Sequence, residues 1–201
     1  MNAVFEVEST MQLDIRKRIE DSIAIKQIVL KDRVIHSQIE WLARACITAL
    51  KEGGKVIFAG NGGSFADAQH LSAEFTSRFM FDRAPLASLA LGTNNSAISA
   101  IGNDYGYEQV FARELQSIAK PEDVFIPIST SGNSPNILAA AEVGRAIGMT
   151  VMAWSGQNGG KLRERCECIR IPSMDTARIQ ECHIMIGHIL CGLVEAELFP
   201  K

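Results

Sequence analysis

No stretch of the 201 residues reaches the ~18 consecutive apolar positions that a membrane-spanning helix needs, which excludes such a helix. Blocks of like charge are also missing. Twenty basic and 23 acidic side chains leave a formal net charge of −3, a poor match for nucleic acid or an anionic membrane surface. The five cysteines (Cys46, Cys166, Cys168, Cys182 and Cys191) are odd in number and lack disulfide-scaffold spacing. Cys166-x-Cys168 is not a zinc-knuckle pair, so buried free thiols are expected. Met1 to Thr10 carries Glu6 and Glu8 and lacks the basic-then-apolar layout of a secretory signal, so a cytoplasmic setting is expected. There is no repeat, low-complexity tract or long linker. The chain therefore reads as one domain over 1–201, with a helical segment at about 11–50 and an α/β core at about 55–198. A hydrophobic share of 47% is too high for a disordered chain and suits a soluble enzyme or small-ligand binder.

Periodicity sets the element types. Ile15, Ile19 and Ile23 recur every four residues, and Ile39, Leu42, Ala43, Cys46, Ile47 and Leu50 follow a helical stripe. The polar patch Lys31 to Arg33 separates the two helices, a pair suited to packing on the main sheet or on another subunit. From Lys55 onward, short apolar strands (Lys55–Ala59, Leu86–Leu91, Val124–Ser129, Thr150–Ser155, Ile169–Ile171) alternate with helical stretches at about 64–80, 107–118, 135–147 and 176–198. Strands joined by crossover helices predict an α/β fold whose central parallel sheet is covered on both faces. Pro127 fits this awkwardly, because proline removes a ladder hydrogen bond.

In such sheets ligands bind beyond the carboxyl ends of the strands. Two unusual loops stand there: Gly60-Asn61-Gly62-Gly63-Ser64 and Ser129-Thr130-Ser131-Gly132-Asn133-Ser134, the second followed by Pro135 at a first helical position. Hydroxyls and backbone N–H groups at a helix amino terminus suit a phosphate; simple capping by Ser134 is the competing reading. The first loop is not a dinucleotide fingerprint, since Phe65 stands where the third glycine belongs, and neither loop ends in the Gly-Lys-Ser/Thr of a nucleoside-triphosphate loop.

Asp67, His70 and Glu74 follow the glycine loop. His70 and Glu74 share one helical face, as an ion pair or as metal ligands. Gln180, Glu181, His183 and His188 interrupt an otherwise apolar terminal helix, where unpaired polar groups are costly. On a helical wheel Gln180 lies about 80° from His188, Glu181 about 20° and His183 about 140°. Gln180 or Glu181 can therefore accompany His188 into a cleft, while His183 reads as a packed structural histidine.

Taken in order, Gly60-Asn61-Gly62-Gly63-Ser64, Asp67-Ala68-x-His70-x-x-x-Glu74, Gly102-Asn103-Asp104-Tyr105-Gly106, Ser129 to Ser134 and Arg178-Ile179-Gln180-Glu181-x-His183 resemble the sugar-isomerase domain family, in its heptose-phosphate branch. The resemblance runs from about residue 13 to the carboxyl terminus. It implies a flavodoxin-like three-layer α/β sandwich with a central parallel sheet, assembled as a homotetramer whose sites lie between subunits and whose amino-terminal helices form the interface. It also implies isomerisation of sedoheptulose 7-phosphate to D-glycero-D-manno-heptose 7-phosphate through an enediol, for lipopolysaccharide or capsule. By the same resemblance Ser129, Thr130, Ser131 and Ser134 hold phosphate; Asn61, Gly62, Gly63, Asn103, Asp104, Glu74 and Gln180 contact the sugar. His70, Glu74, Gln180 and His188 match a zinc site with one zinc ion expected per subunit, and Arg78 matches an arginine near the site. Glu74 is the expected base and His188 its acid partner.

Phe65, Asn94, Pro127 and Trp154 depart from the family's usual residues. The alternative functions are a non-catalytic relative that binds a replication initiator, and a sugar-phosphate sensor. The initiator-binding relative lacks acids at the positions of Asp67 and Glu74, and the 201 residues leave no room for a sensor's DNA-binding domain.

Overall fold

The expected strands occur as β1 (Val56–Ala59), β2 (Ser88–Ala90), β3 (Val124–Pro127), β4 (Thr150–Ser155) and β5 (Glu167–Arg170). They form one sheet in the order β2-β1-β3-β4-β5, and every pair is parallel. The computed structural model describes residues 9–200. Met1–Glu8, which bear most of the targeting argument, and Lys201 lie outside the described residues. No helix among the described residues is long and apolar enough to cross a membrane.

Side chains that alternate along each strand build two cores, as the pleat requires. Val56 and Phe58 of β1 and Ile126 of β3 face a core completed by α2 (Arg33–Lys51), α3 (Gly63–Thr76) and α7 (Thr176–Leu198). Ile57, Ala59 and Phe125 face the other core, with α5 (Val110–Ile118) and α6 (Pro135–Ile147). Helix–sheet–helix is the three-layer sandwich that the motifs implied, and its strand order is the flavodoxin-like one.

The polar patch between the first helices is a shared cap. Asp32 ends α1 (Thr10–Lys31) by donating its N–H to Val29 O, and its carboxylate accepts from the Val34 and Ile35 amides at the start of α2. The stripe of α2 is buried at Ile39, Leu42, Ala43 and Cys46. In contrast, Ile15, Ile19 and Ile23 of α1 are 51%, 55% and 49% exposed, so the four-residue repeat makes an apolar face with no cover inside one protomer.

Three of the departures have local reasons. Val124 and Ile128 donate to β1 at Lys55 O and Ala59 O. By parallel alternation, the missing N–H of Pro127 therefore falls on the β4 side, where the ladder pauses between Phe125–Val151 and the bridge of Ile128 to Trp154. Trp154 is buried edge-on to Phe58. Asn94 caps α4 (Asn95–Tyr105) by accepting from the Ala97 amide at 3.1 Å. This helix was not expected, because its apolar face is short: no residue is fully buried, and Ile98 and Ile101 alone pack on the core from one side. The expected helix at 64–80 stops at Thr76, and the one at 107–118 begins with a 3-10 turn at Tyr107–Gln109.

The thiols are free, and all except the half-buried Cys166 are buried. His183, fully buried between α7 and the sheet, donates from Nε2 to Ser155 O at 3.2 Å, while its Nδ1 has no partner. Burial pushes this imidazole down to about 4, against the pull of the Ser155 carbonyl. Unfolded histidine takes up a proton near pH 6.5, so stability is lost as pH falls from about 6.5 towards 4. Chemical denaturation at fixed protein concentration should show a loss of about 2 kcal/mol from this residue between pH 7.5 and 5. That increment should vanish in His183→Gln.

Candidate active site at the carboxyl ends of β1 and β3

Neighbouring strands β1 and β3 send their following helices to opposite faces of the sheet, α3 to one and α6 to the other. Their carboxyl ends therefore flank the switch-point crevice. The glycine loop lines one side. Gly62 sits at φ +55°, where a side chain would be strained. A Cβ on Gly63 would lie 2.4 Å from Gln180 Nε2, so the missing side chain is what lets Gln180 of α7 reach the loop.

Asn61 is held rather than free. Its Nδ2 donates to Asn136 Oδ1 and its Oδ1 accepts from Asn136 Nδ2, both at 2.9 Å; the Tyr107 hydroxyl donates to the same Oδ1 at 3.2 Å. Asn136, buried in the first turn of α6, was not among the sequence candidates. A buried amide within a helix is the signal that marks it, because such a group needs a partner.

The hydroxyl loop behaves unlike an ordinary cap. Ser134 occupies the N-cap position of α6 but makes no side-chain capping bond. Its hydroxyl lies 3.0 Å from Ser129 Oγ, and Ser131 Oγ lies 3.5 Å from Ser129 Oγ on the other side. The loop after β4 supports this cluster: Gly156 N donates to Thr130 O, and Leu162 N to Gly132 O. Gly132, at φ +66°, approaches so closely that a Cβ would overlap Gly159 O. A 240 Å³ pocket lined by Thr130, Ser131, Asn133, Gly156, Ser173 and Thr176 opens alongside. Hydroxyls gathered at a helix amino terminus, with Ser134 making no capping bond, are an arrangement that suits an anion.

On the face of the sheet that α3 and α7 share, His70 and Glu74 of α3 meet His188 of α7. His70 Nε2 is 3.0 Å from His188 Nε2 and 3.2 Å from Glu74 Oε1, and ligand atoms of all three lie within 4.8 Å of one another. Ligands of a tetrahedral zinc ion stand roughly 3.3–3.6 Å apart, so this donor set fits one. A proton shared between the rings satisfies the same nitrogen pair. The Glu181 alternative is closed: its carboxylate accepts from Ser22 Oγ at 2.6 Å and pairs with Arg178 and Lys26, tying α7 to α1. The Phe79 ring, also absent from the sequence candidates, stacks on His188 with centroids 5.6 Å apart.

Asp67, one turn before His70, has an Oδ2 that is buried without a partner. Burial pushes its carboxyl up to about 6, with His70 pulling the other way. Arg78 is exposed beyond the end of α3. Asn103 and Asp104 are exposed at the end of α4, bonded to each other at 2.8 Å, and are not brought into the His70–Glu74–His188 cluster.

Capping and anion binding differ in what Ser134→Ala does. Loss of a working cap costs about 1 kcal/mol of stability. Here the melting temperature should hardly move, while affinity for inorganic phosphate, measured by calorimetry, should fall about tenfold. The opposite pattern would restore the capping reading.

Comparison with known proteins agrees with the fold. The SIS domain family model matches residues 23–156. Over 188 residues the chain is 48% identical to a phosphoheptose isomerase of Burkholderia pseudomallei, covering 93% of this chain and 95% of that one. It is 51% identical over 188 residues to phosphoheptose isomerase 2 of Campylobacter jejuni, with 93% and 94% covered. The structure of the phosphoheptose isomerase from Neisseria gonorrhoeae superposes with a TM-score of 0.85 at 36% identity, covering 92% of this chain and 99% of that one. The chain belongs to the SIS-domain family, in its phosphoheptose isomerase branch.

Proposed function

We propose that this chain converts sedoheptulose 7-phosphate to D-glycero-D-manno-heptose 7-phosphate, an aldose–ketose isomerisation that supplies heptose for lipopolysaccharide or capsule. The observation that carries the reading is the meeting of Glu74 and His188, from helices far apart in sequence, with ligand atoms within 4.8 Å. Ser129, Thr130, Ser131 and Ser134 hold the phosphate. Asn61, the backbone of Gly62 and Gly63, and Gln180 take sugar hydroxyls.

Glu74 removes a proton from C1 of the ketose while His188 donates one to the C2 oxygen, giving an enediol. His188 then takes the proton of the C1 oxygen, and Glu74 returns its proton to C2. His70, Glu74, Gln180 and His188 would hold zinc, which when bound supplies positive charge that polarises the carbonyl, and His188 donates its proton only from a ring nitrogen that does not ligate the metal. The Glu74 oxygen facing His70 leaves the second carboxylate oxygen for proton transfer.

The whole chain acts as one cytoplasmic domain. The exposed isoleucines of α1 are the contact that builds a homotetramer, and Asn103, Asp104 and Arg78 complete a site from the edge of a neighbouring subunit. The protein uses neither nucleic acid nor membrane as partner.

Purified protein incubated with sedoheptulose 7-phosphate should form the aldose, lose activity with chelator and regain it with zinc. Aldose absent under every metal condition would falsify the reading. Glu74→Gln should lower kcat about 10²–10⁴-fold with circular dichroism and sedimentation unchanged; near-normal turnover removes Glu74 as the base.

A further inference from the structure

Arg83 and Glu195 form an ion pair that the chemistry above does not use. Arg83 Nε is 2.9 Å from Glu195 Oε1, and the two side chains are only 2% and 1% exposed. The remaining bonds of the pair point at the site. From Arg83, one terminal nitrogen donates to Glu74 O at 2.8 Å; the other donates to Phe75 O at 2.8 Å, with longer contacts to Ala84 O and Ser77 O. Glu74, Phe75 and Ser77 are the last turn of α3 and its exit, whose carbonyls have no partner within the helix. The last turn of α3 contains no basic residue of its own, so Arg83 closes the helix from outside at the residue that bears the proposed base.

Glu195 holds the other half. Its Oε1 accepts from the Phe79 amide at 2.9 Å and its Oε2 from the Met80 amide at 2.7 Å. Phe79 is thereby fixed where its ring lies on His188, with the planes 23° apart. Glu195 also stands seven residues after His188, about 20° away around α7, so the carboxylate and the imidazole share one face of one helix. The pair thus touches the backbone of Glu74 directly and the ring of His188 through Phe79.

We propose that Arg83 and Glu195 are positioning residues that set the mutual distance and aim of Glu74 and His188; this rests on the acid–base reading of those two groups. A lysine cannot reproduce the fork, since a single ammonium cannot reach Glu195 and the α3 carbonyls in the same geometry. A displacement of an ångström at reacting groups is enough to cost about 10²-fold in rate.

Arg83→Lys, Glu195→Gln and Phe79→Leu test this, the last leaving the ion pair intact should either of the others fail to fold. The chain has four histidines, so ring-labelled protein gives a resolvable set of imidazole signals. In each variant the His188 signal should move and that of His36 should stay. At a temperature where the variants are folded, kcat should fall about 10–100-fold with KM and inorganic phosphate affinity unchanged, because none of the bonds of the pair reaches the hydroxyl loop. Lower melting temperatures with kcat and the His188 signal at wild-type values would overturn the proposal, as would a change confined to KM. If the wild type does not isomerise the sugar, the functional reading fails and the His188 signal alone decides the positioning role.

Discussion

All strands of the sheet run the same way, and the rest of the site depends on that constraint. Parallel strands place every strand-to-helix turn at one edge, so the glycine loop after β1 and the hydroxyl loop after β3 become neighbours without any local sequence relation. Because α3 and α6 then leave for opposite faces, the loops diverge and a crevice opens. Asn61 and Asn136 span it with a reciprocal pair of amide bonds, and this bridge fixes the width of the crevice on the side away from α7.

On the opposite flank the packing of α3 against α7 has a different chemical character. Its buried part is apolar, with Leu71, Phe75, Ile186 and Leu190 in one core. A Cβ on Gly187 would lie 2.5 Å from the Leu71 methyls, so the helices approach closely there. Polar groups concentrate at the margin of that contact: the histidine–carboxylate cluster near the sheet edge and the Arg83–Glu195 pair deeper in. Burial alone would push the Glu195 carboxyl up, but the Met80 and Phe79 amides together with the guanidinium hold it below its ordinary value. A buried charge so fully bonded gives one arrangement of the chain after α3 and few alternatives.

Much of this was legible in one dimension, for reasons that can be named. Continuous apolar strands, turn glycines and the spacing of His70 to Glu74 are local signals, and the structure bears out the sheet, both loops and the burial of His183. Helix α4 escaped because its apolar contact is only Ile98 and Ile101, neither fully buried, and the reading of Ser134 as a cap or an anion ligand stayed open because both need the same residue type. Gln180 and Glu181, about 100° apart on the helical wheel, differ in what each side chain meets: Gly63 for one, Ser22 and Arg178 for the other.

The sequence by itself determined the fold class, the two loops and the chemical types available at the site, because backbone propensity, pleat alternation and helical spacing are short-range properties. Which of those groups meet depends on packing between elements distant in the chain. Asn61 with Asn136, His70 with His188, and Arg83 with Glu195 are joined across 75, 118 and 112 positions of chain. No periodicity encodes such pairs; they arise from the order of strands in the sheet and the close packing of α7 on α3.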